Sequence, residues 1–151
     1  MLTVRRADAS DVPALTGLAV EAYEKYVPRI GRAPAPMNAD YADAVRSGLT
    51  WAAVRDRVIV GLLVLVVQPD HLLLENVVVL PSAQGTGVGA RLLAFAEEQA
   101  RELGREEIRL YTNEAMTENL AYYPKHGYIE TNRAEQDGFR RVFFSKRITG
   151  R

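Results

Sequence analysis

Three glycines in six residues, Gln84-Gly85-Thr86-Gly87-Val88-Gly89, constrain this chain more than any other feature, because of what flanks them. Before them, residues 72–80 form a Leu- and Val-rich run that reads as a strand. After them, Val88, Leu92, Phe95, Ala96, Gln99, Ala100 and Leu103 recur at helical spacing until Gly104 stops the pattern. A further strand is expected over 108–112. Strand, helix and strand then make one parallel crossover unit, and the glycine loop joins its first strand to its helix. A helix N-terminus offers unpaired N–H groups and a partial positive charge, and glycine keeps Cβ atoms out of an anion's way. The expected ligand is a pyrophosphate. Gly85, Gly87 and Ala90 also fit the dinucleotide pattern G-x-G-x-x-G/A, but the motif lies mid-chain, behind an antiparallel hairpin, and only one crossover unit follows it. The lysine-bearing P-loop pattern is absent, which weakens the case for a nucleoside triphosphate.

The rest of the chain supplies the surroundings. Leu2 and Val4 alternate with polar neighbours as a short strand, and Asp8 or Ser10 can cap a helix carrying Leu15, Leu18, Ala19, Ala22, Tyr23 and Tyr26 at helical spacing. Pro28, Gly31, Pro34 and Pro36 are expected to break regular structure in a loop of about ten residues that holds Arg29 and Arg32. A short helix over 38–46 closes at Gly48. Residues 51–54 and 58–67 flank Asp56-Arg57 as a hairpin, and the second arm is apolar on both faces, as a central strand would be. In 72–80 only Glu75 and Asn76 interrupt the apolar run. A helix over 118–125 contains Pro124, which should kink or end it at the Tyr123 turn. Strands over 128–133 and 139–148 follow, joined through Asp137-Gly138.

Composition removes several classes of function. The 151 residues suit one domain spanning 1–151. Without cysteine there is no disulfide, thiolate nucleophile or zinc–sulfur site, and His71 and His126 alone offer little for a histidine metal cluster, so no metal is expected. Nineteen basic and nineteen acidic residues cancel, which argues against a nucleic-acid partner. The longest apolar run, Val58–Val67, is far short of the roughly 20 residues of a membrane span. No apolar segment follows the opening Met-Leu-Thr-Val-Arg-Arg, so a cytoplasmic location is expected.

Two motifs together make a family resemblance. Gln84-x-x-Gly87-x-Gly89 resembles the Q/R-x-x-G-x-G/A signature of the GNAT superfamily, the acyl-CoA-dependent N-acyltransferases. Roughly forty residues on, Tyr123-Pro124-Lys125-His126-Gly127-Tyr128 resembles that superfamily's Y-x-x-x-G-F/Y motif. The order of elements agrees along essentially the whole chain. The resemblance implies an α/β (α+β) fold: a mixed, mostly antiparallel sheet of six to seven strands with one splayed parallel pair, flanked by about four helices. It implies acetyl-CoA as cosubstrate, with its pantetheine arm against Val77, Val78 and Val79 and its pyrophosphate on Gln84, Gly85, Thr86, Gly87, Val88 and Gly89.

The implied reaction is direct acetyl transfer to a primary amine of a small molecule or peptide. Tyr123 stands where relatives place the acid that protonates the departing thiolate, with Tyr122 beside it as the competing candidate and core packing as the other reading of Tyr123. Glu75 stands where several relatives place the base, and apolar neighbours would raise its pKa. Asn76 could orient it or the acceptor. Met116 occupies the place of an asparagine common among relatives, and Asn119 is a candidate substitute. Arg29 and Arg32 could pair with an acid on the acceptor or be solvated charges. A CoA-binding sensor or partner-binding protein with the same fold and no catalysis is the alternative function. The identity of the amine and the pairing of two copies into a homodimer are left open.

Overall fold

A computed structural model describes residues 1–148, and the last three residues of the expected 1–151 domain lie outside the described residues. Seven strands make one sheet: β1 (Leu2–Arg6), β2 (Thr50–Arg55), β3 (Val58–Val67), β4 (Leu72–Val79), β5 (Glu107–Asn113), β6 (Ile129–Gln136) and β7 (Phe139–Arg147). Their spatial order is β1-β2-β3-β4-β5-β7-β6, and only the β4–β5 pair is parallel. Two-residue turns close the β2–β3 and β6–β7 hairpins, with Asp56 and Arg57 at φ 51° and 68° and Asp137 and Gly138 at 52° and 78°. Left-handed residues in such turns match the twist of the strands they join.

Helices cover both faces. On one lie α1 (Val12–Tyr23) and α3 (Tyr41–Arg46), and on the other α4 (Val88–Glu102) and α5 (Thr117–Lys125), with the short α2 (Val27–Ile30) following α1. The central strand β3 feeds both layers: Leu62 and Val64 pack toward α1 and α3, while Leu63 and Leu65 pack toward α4. Each such leucine, fully buried, contributes about 1.5–3 kcal/mol of transfer free energy. Gly61 lies in the same strand. A Cβ there would meet Val88 Cγ1 at 3.0 Å and Leu92 Cδ1 at 3.1 Å, so glycine lets the first turn of α4 sit down on the sheet.

Several local expectations are corrected. Pro28 does not break the first helix; a 3₁₀ turn (Glu24–Tyr26) carries it into α2, with Pro28 in the first turn, where its missing N–H costs nothing. The break falls at Gly31, with φ 89°. The second helix begins at Tyr41, where Asp40 accepts the Asp43 N–H at 3.0 Å. Pro124 lies in the last turn of α5 and the helix runs on to Lys125, closed by Gly127 at φ 90° and the Tyr128 N–H on Tyr123 O. Leu103, expected on the inner face of α4, is exposed at its C-terminus, and Leu93 is buried instead.

Candidate active site

Strands β4 and β5 pair only through Leu72–Ile108 and Leu73–Arg109, and then diverge. Beyond that point β4 has a strand on one side alone. Leu80 N–H bonds to Val60 O across β3, so by alternation the amides of Val77 and Val79 turn toward the opened gap. The Gln84 side chain reaches across and donates to Val79 O at 3.3 Å. Backbone groups left in such a gap call for a ligand or water.

Two cavities meet at this gap. One, of about 560 Å³, runs along Val77, Val78 and Val79 to Gln84, Gly85, Gly87 and Gly89 at the start of α4. The other, of about 370 Å³, opens toward α3 and the proline loop beside Glu75, Asn76, Tyr111 and Arg141. Tyr23 and Val77 line both.

The glycine loop has the form an anion site requires. Gly85 and Gly87 take φ of 77° and 94°, Gly87 is the residue before α4, and a Cβ on either would meet nothing within 4 Å. Space above the loop is therefore open, and the residues fit a pyrophosphate. Seven of the nine expected contact positions line the cavity. Thr86 and Val88 do not: the Thr86 hydroxyl donates to Ala83 O and accepts from Arg55 at 3.0 Å, and Val88 is buried under the sheet. Gly89 has a different reason. Its Cβ would come within 2.6 Å of the Tyr122 hydroxyl, so glycine here lets that phenol lie against the helix start.

Five of the seven tyrosines line the two cavities at the gap, which their sequence positions did not announce. Tyr23 at the end of α1 and Tyr26 in the following 3₁₀ turn line the cavity of the glycine loop together with Tyr122. Tyr123 is buried among Tyr122, Tyr128 and Phe144, with ring centroids 5.5–5.8 Å away, and lines neither cavity. Burial first, then the neighbouring phenols Tyr122 and Tyr26, push its hydroxyl well above the usual range. Tyr23 is raised likewise, by burial and then by Tyr123 and the other phenols around it.

The interruption at Glu75 and Asn76 is a β-bulge. Leu65 pairs with Leu74 and Val64 with Asn76, so Glu75 has no partner. Leu72 and Leu74 pack on the α4 side, yet Asn76 and Val78 face α1 and α3, so the extra residue switches the faces of the strand. Asn76 is buried and fully engaged. It accepts from the Tyr23 hydroxyl at 2.7 Å and donates to the Tyr41 hydroxyl at 2.8 Å, which donates to Pro36 O at 2.5 Å. This chain ties α1, α3 and the proline loop to β4, rather than orienting Glu75. Glu75 itself is exposed at the cavity wall near Tyr41, without the apolar surroundings expected for it.

Arg29 and Arg32 are committed elsewhere. Arg29 forms a forked pair with Glu118 at 2.6 and 3.1 Å, joining α2 to α5 and holding that carboxyl down to about 2. Arg32 donates to Asp137 O at 2.7 Å and lies 3.8 Å from the Phe139 ring centroid, which anchors the loop to the β6–β7 hairpin. Asn119 donates to Thr112 Oγ1 at 3.0 Å and lines the glycine-loop cavity. His71 sits beside Asp70 before β4, and His126 ends α5 against Tyr122.

The sheet is split at its one parallel pair, with a phosphate-type loop at one end of the split and a second cavity at the other. The chain belongs to the acetyltransferase (GNAT) family, which matches residues 14–128. Over 59 residues it is 37% identical to an aminoalkylphosphonate N-acetyltransferase of Salmonella typhimurium, a stretch spanning 39% of this chain and 38% of that protein. The fold is similar to that of PaiA N-acetyltransferase from Thermoplasma acidophilum in complex with coenzyme A, at 18% identity and TM-score 0.81, covering 97% and 99% of the two chains. It is also similar to the ribosomal-protein-S18-alanine N-acetyltransferase of Escherichia coli, at 18% identity and TM-score 0.76, covering 99% and 95%.

Proposed function

We propose that residues 1–151 form one domain that transfers an acetyl group from acetyl-CoA to a primary amine by direct attack. The observation that carries this reading is the meeting of the two cavities at Tyr23 and Val77, where β4 leaves β5. A thioester laid along Val77 and Val79 from the glycine loop brings its acyl carbon to that junction, within reach of an amine entering past Glu75. The amides of β4 that face the gap supply donors where negative charge develops on the acyl oxygen.

As the nitrogen–carbon bond forms and the carbon–sulfur bond breaks, the amine gives up a proton and the thiolate takes one. Glu75 accepts the first, for which its position at the wall of the second cavity is suited. Tyr123 donates the second: it holds the motif position, burial keeps its hydroxyl protonated at neutral pH, and it stands beside the cavity-lining Tyr26. Among the described residues no helix is long and apolar enough to cross a membrane. The test is thiol release from acetyl-CoA across amines, amino acids, polyamines, aminoglycosides and peptides. An acetylated amine is expected; cofactor binding with no turnover on any amine would leave a CoA-binding protein.

A further inference from the structure

The cavity beside Glu75 is lined by one cationic side chain, and the transferase reading does not use it. Arg141 projects from β7 with a side chain only 11% exposed, its guanidinium 4.3 Å from the Tyr111 ring centroid and 5.9 Å from that of Phe139. Its Nη1 donates to Gln136 Oε1 at 3.0 Å and approaches Asp137, itself 84% exposed, no closer than 3.8 Å. Among the described residues Nε and Nη2 have no hydrogen-bond partner. The Tyr128 hydroxyl is the one fully buried side-chain polar atom among them that lacks a partner, so solvent reaches those two nitrogens.

A cation mostly withdrawn from water, with a neutral amide and a distant exposed carboxylate for company, is under-compensated. Stacking on aromatic rings holds its plane fixed, which suits a forked pair of oxyanion oxygens.

The carboxylates of the same cavity complete the pattern. Of the carboxylates lining this cavity, Asp40 caps α3 and Asp43 pairs with Arg46, while Glu75 makes no hydrogen bond or ion pair among the described residues. The two uncommitted charges in the cavity are therefore opposite in sign and lie on different strands.

We propose that the acceptor is an amine that also bears an acid group, with its ammonium facing Glu75 and its carboxylate or phosphonate oxygens on Arg141. This rests on the transferase reading for the reaction, and names the class of molecule that the same site takes. It also gives Arg141 a role in specificity that Arg29, paired with Glu118, and Arg32, which does not line this cavity, do not have.

The test compares matched amines on the purified chain: β-alanine with β-alaninamide for the carboxylate, and 2-aminoethylphosphonate with its diethyl ester for the phosphonate. The preferred acid-bearing amine should exceed its neutral partner by about 10² or more in kcat/KM, and the two pairs distinguish planar from tetrahedral oxyanions. Arg141→Gln should reduce that ratio to a few fold, mainly through KM, with Arg141→Lys recovering part of it. Arg140→Gln, on the neighbouring side chain that is 80% exposed, should leave the ratio intact. The acetyl-CoA-induced rise in melting temperature should persist in every variant, which separates lost recognition from lost folding.

Calorimetry of the same amines on CoA-saturated protein gives a readout independent of turnover. Acid-bearing amines that bind in an Arg141-dependent way without being acetylated would sink the transferase reading and leave the site standing. Neutral amines acetylated as well as acid-bearing ones, or a preference that survives Arg141→Gln, would overturn this proposal and leave the transferase reading standing.

Discussion

Tyr122 and Tyr123 divide what the motif assigns to one position. Tyr123 holds the matching place, but it is Tyr122 whose hydroxyl lies against Gly89 and the glycine-loop cavity. If Tyr123 protonates the thiolate, Tyr123→Phe should lower kcat about 10²-fold with acetyl-CoA affinity within a few fold, and Tyr122→Phe should cost far less. Reversed magnitudes would transfer the role to Tyr122, and losses that track melting temperature would return Tyr123 to packing. Glu75 is tested by its pH profile. An alkylammonium is almost wholly protonated at pH 7, so Glu75→Gln should lower kcat/KM for the best amine about 10²-fold near neutrality, recovering as alkali supplies free amine. A profile parallel to wild type and scaled down would make Glu75 a group that attracts the acceptor without taking its proton.

On the far side of the gap, a hydrogen bond to a carboxylate that is itself ion-paired within β5 joins β5 to β7, beside their ladder. Glu107 on β5 accepts from Arg109 Nε at 2.9 Å and Nη2 at 3.1 Å, and from the Ser145 hydroxyl of β7. Those bonds, Arg109's first, lower its carboxyl from 4.5 to about 2. A carboxyl depressed by folding stabilises the native state above its unfolded pKa, and that contribution disappears as pH falls through the folded value. The window is therefore pH 4.5 down to about 2. Glu107→Gln should cost about 1–2 kcal/mol at pH 7, below the full linkage value because solvent screens the pair, and its stability should converge on wild type near pH 2. Parallel denaturation midpoints for the two proteins over that window would show that Glu107 contributes nothing through its charge.

For the molecule as a whole, the cosubstrate is also a stabilising ligand. At acetyl-CoA concentrations about 100 times Kd the native state should gain about 2.7 kcal/mol, a rise of roughly 5–10 °C in Tm, and NAD should give none. Gly87→Val places a side chain above the loop and should abolish the rise. It also strains a backbone at φ 94°, so Gly104→Val is the matched control, with φ 70° and open space at the other end of α4. That control should lose stability and keep the full rise. A full rise in Gly87→Val would move the binding site off this loop.

Order along the chain was legible because it rests on short-range chemistry. The glycine loop, the helical spacing after it and the hairpin around Asp56-Arg57 each depend on neighbours a few residues apart, and each is where the pattern put it. The same holds for the motif pair, whose residues are contiguous. What required the folded chain is whatever depends on distant partners. An apolar strand interrupted by Glu75 and Asn76 does not reveal that one residue lacks a partner and turns the next toward α1, because a bulge is defined only against β3. Arg29 and Arg32 read as free charges until Glu118 and Asp137, far along the chain, come within reach. Arg141, unremarked in the sequence, acquires its place only when β7 lies beside β5 and Tyr111 slides under its guanidinium. Local periodicity sets which segments form; the pairing of β4 with β3 alone past Leu73 decides where the gap opens, and with it where the chemistry sits.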